Sequence, residues 1–209
     1  MKILCICGDF YHPAAVVKKG LDFLSELNLD IRFLDDTTLG SPHWLKDYDV
    51  LILSKANMTV ENKSRTWLND QWEQEIDRFV RSGHKLLVIH SGTAGYDNNR
   101  KIRELIGGVF SHHPEQEAIS YSASGNKAFM NEVQTFTEKD EQYFMTMDRE
   151  DIDLILVSTS QQGTQPAGWF LKHDAGEVAV LTPGHNIEVW LNRQFQKILE
   201  EILKGWMKG

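Results

Sequence analysis

The sequence predicts an α/β fold with a largely parallel sheet, and three observations carry that reading. Strand-like apolar runs alternate with amphipathic, helix-like segments. The run KLLVI, which opens KLLVIHSGTAGYDNN (85–99), has the character of a buried core strand. Residues 117–137 break the rhythm with short alternating pieces, AISYSAS and NEVQTFT, which read as an antiparallel excursion.

Taken in order, KILCIC (2–7) is the first strand, closed by Gly8-Asp9. PAAVVKKGLDFLSELN (13–28) is the first helix, with Pro13 in its first turn and Val16, Val17, Leu21, Leu24 and Leu27 at helical spacing. IRFLD (31–35) and DVLILS (49–54) are the next strands. A second helix runs from about residue 65 to 81 and stops at Ser82-Gly83. KLLVIH (85–90) is the fourth strand, and NRKIRELIGG (99–108) a shorter helix ended by a glycine pair. DIDLILVST (151–159) returns as a core strand. AGWFLKH and GEVAVLTPG form a hairpin turned at Gly176, and a helix over 192–206 closes the chain. No repeat, low-complexity tract or linker divides residues 1–209, so one domain is expected.

Charge narrows the partners. The formal net charge is −8, and binding to nucleic acid or anionic membranes draws on clustered Lys and Arg, so neither is expected. Cys5 and Cys7 share one face of one strand, which suits buried thiols in a reducing compartment. MKILCICGDF lacks the build of a secretory signal and no segment has the length of a membrane span, so a cytoplasmic location is expected.

In open α/β sheets, ligands bind beyond the carboxyl ends of the strands. Reactive residues fall there four times: Asp9, Tyr11 and His12 in GDFYHP, His90-Ser91, His112-His113 in FSHHPEQ, and His185 with Glu188 in TPGHNIE. His43 and His84 lie elsewhere and are set aside. Ser91 stands where a nucleophile elbow would, although G-x-S-x-G is absent; the alternative is that it caps a turn that Gly92 eases. His185-x-x-Glu188 has the residue types of a base oriented by a carboxylate. Histidines and carboxylates from several loops also suit a divalent metal such as zinc. Asp140, Glu141 and Tyr143 cluster in a loop or short helix that is either a solvated face or a polar pocket lining. Trp169 and Trp190 either stack on a sugar or pack the core. GDFYHP lacks dinucleotide glycine spacing and no P-loop occurs, so no nucleotide cofactor is expected.

The ordered set CGDFYHP, GHKLLVIHSGTAGY, IGGVFSHHP, KDEQY and PAGWFLKHDAGEVAVLTPGHN resembles the ThuA-like (trehalose utilisation) family over nearly the whole chain. The resemblance implies a three-layer, flavodoxin-like fold similar to class I glutamine amidotransferases. Those enzymes carry a cysteine in the turn after the strand equivalent to 85–90 and a His-x-Glu after the last strand. Here the turn holds His90-Ser91 and Glu188 stands one residue too far along, so thiol-dependent glutamine hydrolysis is not expected. The family-matching residues are His12, His90, His113, Asp140, Glu141, Tyr143 and His185. The expected role is in trehalose or related glycoside or keto-sugar metabolism, with a small carbohydrate as ligand and a homo-oligomer possible. His90, Ser91, His185 and Glu141 are the catalytic candidates, and Asp9, Tyr11, His12, Asp140, Tyr143 and Trp169 the substrate-binding ones. His12, His90, His113 and His185 are the metal candidates. The competing readings are a non-catalytic carbohydrate-binding or regulatory domain, and a serine hydrolase using Ser91.

Overall fold

A computed structural model describes residues 1–125 and 127–208; Asn126, inside the expected antiparallel stretch, and Gly209 lie outside the described residues. In chain order the strands are β1 (Lys2–Cys7), β2 (Asp30–Leu34), β3 (Val50–Ser54), β4 (Lys85–Ile89), β5 (Gly108–His112), β6 (Glu117–Ala123), β7 (Phe136–Asp140), β8 (Phe144–Met147), β9 (Asp153–Ser160), β10 (Gly163–His173) and β11 (Gly176–Leu181). The helices are α1 (Ala14–Gly20), α2 (Asp70–Arg81), α3 (Arg100–Ile106), α4 (Ile187–Leu191) and α5 (Arg193–Lys208).

Nine strands form one sheet in the order β2-β1-β3-β4-β11-β10-β9-β6-β7. The pairs from β2 through β11 are parallel, and those from β11 to β7 are antiparallel. β5 and β8 make a separate two-stranded ribbon that the sequence does not announce.

Strand periodicity splits the central apolar runs between two faces. Ile3, Cys5, Cys7, Ile52, Leu87 and Ala179 face α1, α4 and α5. Leu4, Ile6, Leu51, Leu53, Val88 and Val180 face α2 and α3. The expected three layers follow, and both cysteines are buried free thiols. The antiparallel excursion extends that sheet from β11 outwards. Among the described residues no helix is long and apolar enough to cross a membrane.

Helix boundaries move for local reasons. The first helix ends at Gly20, where a side chain would come within 2.6 Å of the Trp190 ring, and 22–27 continues as a tighter 3-10 turn. The second begins five residues late because the Asn69 side chain accepts from Trp72 N at 3.0 Å and caps it there. The closing helix is α5, and a short helix that the sequence reading did not include, α4, precedes it, parted from it at Asn192.

The order reverses between β1 and β3, since the chain leaves β1 outwards to β2 before crossing back. That reversal puts a crevice at the carboxyl ends of β1 and β3, with β4 and β11 beside it.

Candidate active site at the strand ends

β4 stops one residue earlier than the sequence suggests, because His90 adopts a left-handed backbone at φ 47°. Such a conformation is uncommon for a residue with a side chain and needs its surroundings to hold it. Here the His90–Thr93 turn supplies that, with Thr93 Oγ1 donating to the His90 carbonyl at 2.9 Å. The His90 ring, 1% exposed, is locked by Nδ1 donating to the Thr182 carbonyl at 2.8 Å. A carbonyl only accepts, so the ring proton sits on Nδ1 and Nε2 keeps its lone pair.

His12 is fixed in the same sense by a carboxylate. Asp9 Oδ1 accepts from His12 Nδ1 at 2.8 Å and from the backbone N–H groups of Tyr11 and His12 at 3.0 and 3.1 Å. Its Oδ2 accepts from Ala56 N at 2.9 Å, which fastens the β1 loop to the β3 loop. Burial works against the Asp9 charge, but the bond to His12 and the backbone donors hold its carboxyl below the usual range. Burial pushes the His12 ring down despite Asp9, and the neighbouring His90 and His185 add to that.

His185 follows β11 on a turn pinned by Asp140, whose carboxylate accepts from Gly184 N at 2.9 Å, His185 N at 2.9 Å and Tyr121 Oη at 2.8 Å. Trp190 Nε1 donates to the Gly184 carbonyl at 2.8 Å and closes the turn from below.

Glu141 arrives from across the crevice, on the connection between β7 and β8. Its carboxylate lies 3.1 Å from His185 Nδ1, outside hydrogen-bond alignment, and 3.6 Å from both His90 Nε2 and His113 Nε2. Burial opposes its charge, yet His185 and His90 hold the Glu141 carboxyl well below the ordinary range. His185 responds in kind: burial disfavours its proton, but Glu141 outweighs that and raises the ring above its ordinary value.

One ligand atom each from His12, His90, Glu141 and His185 falls within 4.8 Å of every other. The three rings stand edge to face with centroids 5.0 to 5.5 Å apart. His12 Nε2, His90 Nε2 and His185 Nδ1 are buried without a hydrogen-bond partner. The two Nε2 lone pairs of His12 and His90, turned inward beside an ionised carboxylate and left unpaired, are costly to bury. Tyr143 is buried and stacks on His90 at 4.1 Å between centroids, and Phe110 lies against it at 4.2 Å.

Several expected residues take other places. His113 stands at the rim with Nδ1 donating to the Pro114 carbonyl at 2.7 Å, and Glu141 takes its place in the inner group. Asp9 and Asp140 are buried props for the two histidine loops rather than free ligands for a substrate. Glu188 is exposed, so the carboxylate beside His185 is Glu141. Trp169 is 0% exposed, donates Nε1 to the Ile106 carbonyl at 2.9 Å and cannot stack on a sugar; Trp190 is equally enclosed. Ser91 is buried and its Oγ has no hydrogen-bond partner, so it lacks the base contact of a serine nucleophile. Tyr11 is 51% exposed at the mouth. Glu141 and Tyr143 are enclosed, so the EKDEQY stretch is a crevice wall and not a solvated face. Sequence reading missed Lys55, a lysine 2% exposed at the end of β3; its only signal was its place directly after a core strand.

Fold and site together define a flavodoxin-like α/β protein with a histidine–carboxylate crevice at the carboxyl ends of its parallel strands. The ThuA family, described as trehalose utilisation, matches residues 9–204, and the chain belongs to it. Solved structures similar to it include a putative ThuA-like protein of Bacteroides uniformis, 15% identical, at a TM-score of 0.75 over 99% of this chain and 90% of that one. Another, from Parabacteroides merdae, is 14% identical with a TM-score of 0.77 over 95% and 87%. A cytoplasmic protein of Salmonella typhimurium LT2 is 13% identical with a TM-score of 0.73 over 98% and 99%. At these identities the likeness is one of fold. No curated protein matches the chain.

Proposed function

We propose that the protein is a divalent-metal-dependent enzyme acting on trehalose or a related glycoside or keto-sugar, at the crevice formed by His12, His90, Glu141 and His185. Membership of a family described by trehalose utilisation supports the substrate class. The observation that carries the metal is the pair of buried, unpartnered nitrogens His12 Nε2 and His90 Nε2 beside Glu141.

The donor set fits a zinc-like ion. Tetrahedral ligands at zinc distances stand roughly 3.3 Å apart, and Glu141 already lies 3.6 Å from His90 Nε2. His12 and His90 present fixed lone pairs backed by Asp9 and the Thr182 carbonyl, the outer support that orients metal-binding histidines. With Glu141 they make two histidines and a carboxylate, a ligand set that leaves a position open for water or substrate. When bound, the metal supplies Lewis-acid polarisation of a sugar oxygen.

His185 does different work. No backbone acceptor fixes its tautomer, its side chain is more open than those of His90 and Glu141, and Glu141 favours its protonated form. It is suited to give its proton to the departing glycosidic oxygen while water bonds to the anomeric carbon in its place. Glu141 and His113 line the same wall, and Tyr143 keeps the His90 ring from tilting. The cytoplasmic description of the Salmonella protein supports a cytoplasmic location for this one.

Metal content after purification without chelators tests the reading, together with turnover of trehalose and its keto derivatives before and after metal removal. A bound divalent ion whose removal abolishes turnover is expected. A protein without metal, with turnover indifferent to chelation and to added zinc, would overturn it.

A further inference from the structure

The histidine crevice has a neighbour at this end of the sheet. Beside it, at the β1–β3 switch point, lies a cavity of about 620 Å³. That is within the usual range for a small-molecule site. Its lining includes Gly8 and Asp9 just after β1, Lys55 just after β3, residues 35–38, the 59–61 loop and 65–69. Asp9 therefore belongs to both hollows, facing this cavity while holding His12 towards the other.

The chemistry of the lining selects a ligand class. Its carboxylates, Asp9, Asp35, Asp36 and Glu61, outnumber its cations, Lys55 and Arg65, so the lining does not favour a phosphate or a nucleotide. Most of these charges already have partners. Asp35 is paired with Lys18 at 2.7 Å, Asp36 accepts from Thr38, and Asp9 is held by His12. The field left over is weak, while the wall is rich in hydroxyls and amphipathic donors and acceptors. Lys55, also in the lining, donates to the carbonyls of Gly8 and Asp35. Trp67 and Trp72 also line the cavity, each largely buried in the core behind it. Neutral hydroxyl-bearing rings need this combination of hydrogen-bonding groups and aromatic surface.

We infer that the switch-point cavity is a sugar-binding subsite, taking one neutral ring of the substrate beside the histidine crevice. The inference rests on the proposed carbohydrate function and adds a second, non-reacting place for the ligand. Phe10 and Tyr11, both exposed, lie in the chain between Asp9 of the cavity and His12 of the crevice.

Calorimetric titration of the full chain with trehalose and with glucose reads this directly. Wild type is expected to bind trehalose saturably. Thr66→Phe, which crowds the cavity, and the double variant Glu61→Ala/Arg65→Ala should each weaken it tenfold or more. All three positions are exposed, so folding is expected to survive, with unchanged Co²⁺ uptake at the histidines as the control. Unchanged trehalose affinity in the folded variants would overturn the subsite. So would a wild type that takes up Co²⁺ yet binds neither sugar. Sugar binding that is lost in the cavity variants, in a protein that takes up no metal, would uphold the subsite and end the metal reading instead.

Discussion

His90 Nδ1 stands 2.8 Å from the carbonyl oxygen of Thr182, so one imidazole ties the end of β4 to the end of β11. The structural task belongs to one nitrogen and the ligand task to the other, which makes the two separable. An asparagine amide reaches about as far as Nδ1 and has nothing at the Nε2 position. His90→Asn should keep the tie and melt within about 4 °C of wild type, the scale of roughly 1 kcal/mol in a protein of this size. It should lose metal affinity by about 100-fold or more. Melting curves and Co²⁺ titrations on the same sample check both halves.

Asp9 reaches the centre only through His12, which it orients by a 2.8 Å bond. Asp9→Asn keeps the shape, but an amide oxygen is a weaker partner for the ring and its NH₂ opposes one of the backbone donors. Outer partners of metal-binding histidines are typically worth 10- to 100-fold in metal affinity or activity. A loss of about that size is expected, with His12→Ala losing more. Equal losses in the two variants would show Asp9 to be indispensable for His12 as a ligand.

The ion pair of Glu141 and His185 sets a pH window for the metal-free protein. A carboxyl held below its ordinary 4.5 stabilises the fold above that pH, and the contribution is lost as pH falls through the depressed value. A ring raised above its ordinary 6.5 stabilises fully below that pH, and the contribution is lost as pH rises through the raised value. Both are complete only between those two ordinary values. Glu141→Gln removes both, so the wild-type advantage in Tm should be greatest from about pH 4.5 to 6.5 and shrink on either side. Differential scanning calorimetry of the two chelated proteins measures it.

Much of the frame was legible because it depends on periodicity and on buried strands. Cys5 and Cys7 on one face, and the carboxyl-end placement of His12, His90 and His185, follow from strand geometry alone. What was not legible depends on contacts between distant segments. Glu141 meets His185 across 44 positions of sequence, while Glu188, three residues away from His185, points to solvent. Trp169 could not be assigned to core or pocket until the Ile106 carbonyl appeared beside it. β5 and β8 stayed hidden because a short ribbon of two strands carries too few alternations to stand out.

Gly92, two residues beyond the histidine that ends β4, is a packing requirement of the site. A Cβ there would fall 2.1 Å from the Leu53 carbonyl oxygen and 2.9 Å from Val88 Cγ1. The first obstacle is backbone, so relief requires the His90 turn to move away from β3. The left-handed His90 backbone and its bond to Thr182 would move with it. Gly92→Ala should cost about 3 kcal/mol, at the upper end for overpacking, and lower Tm by about 6–12 °C. The decisive measurement is metal affinity in the folded fraction. A displaced His90 weakens it well beyond any change in Tm, whereas an unchanged affinity would mean that β3 yields instead and the turn keeps its place.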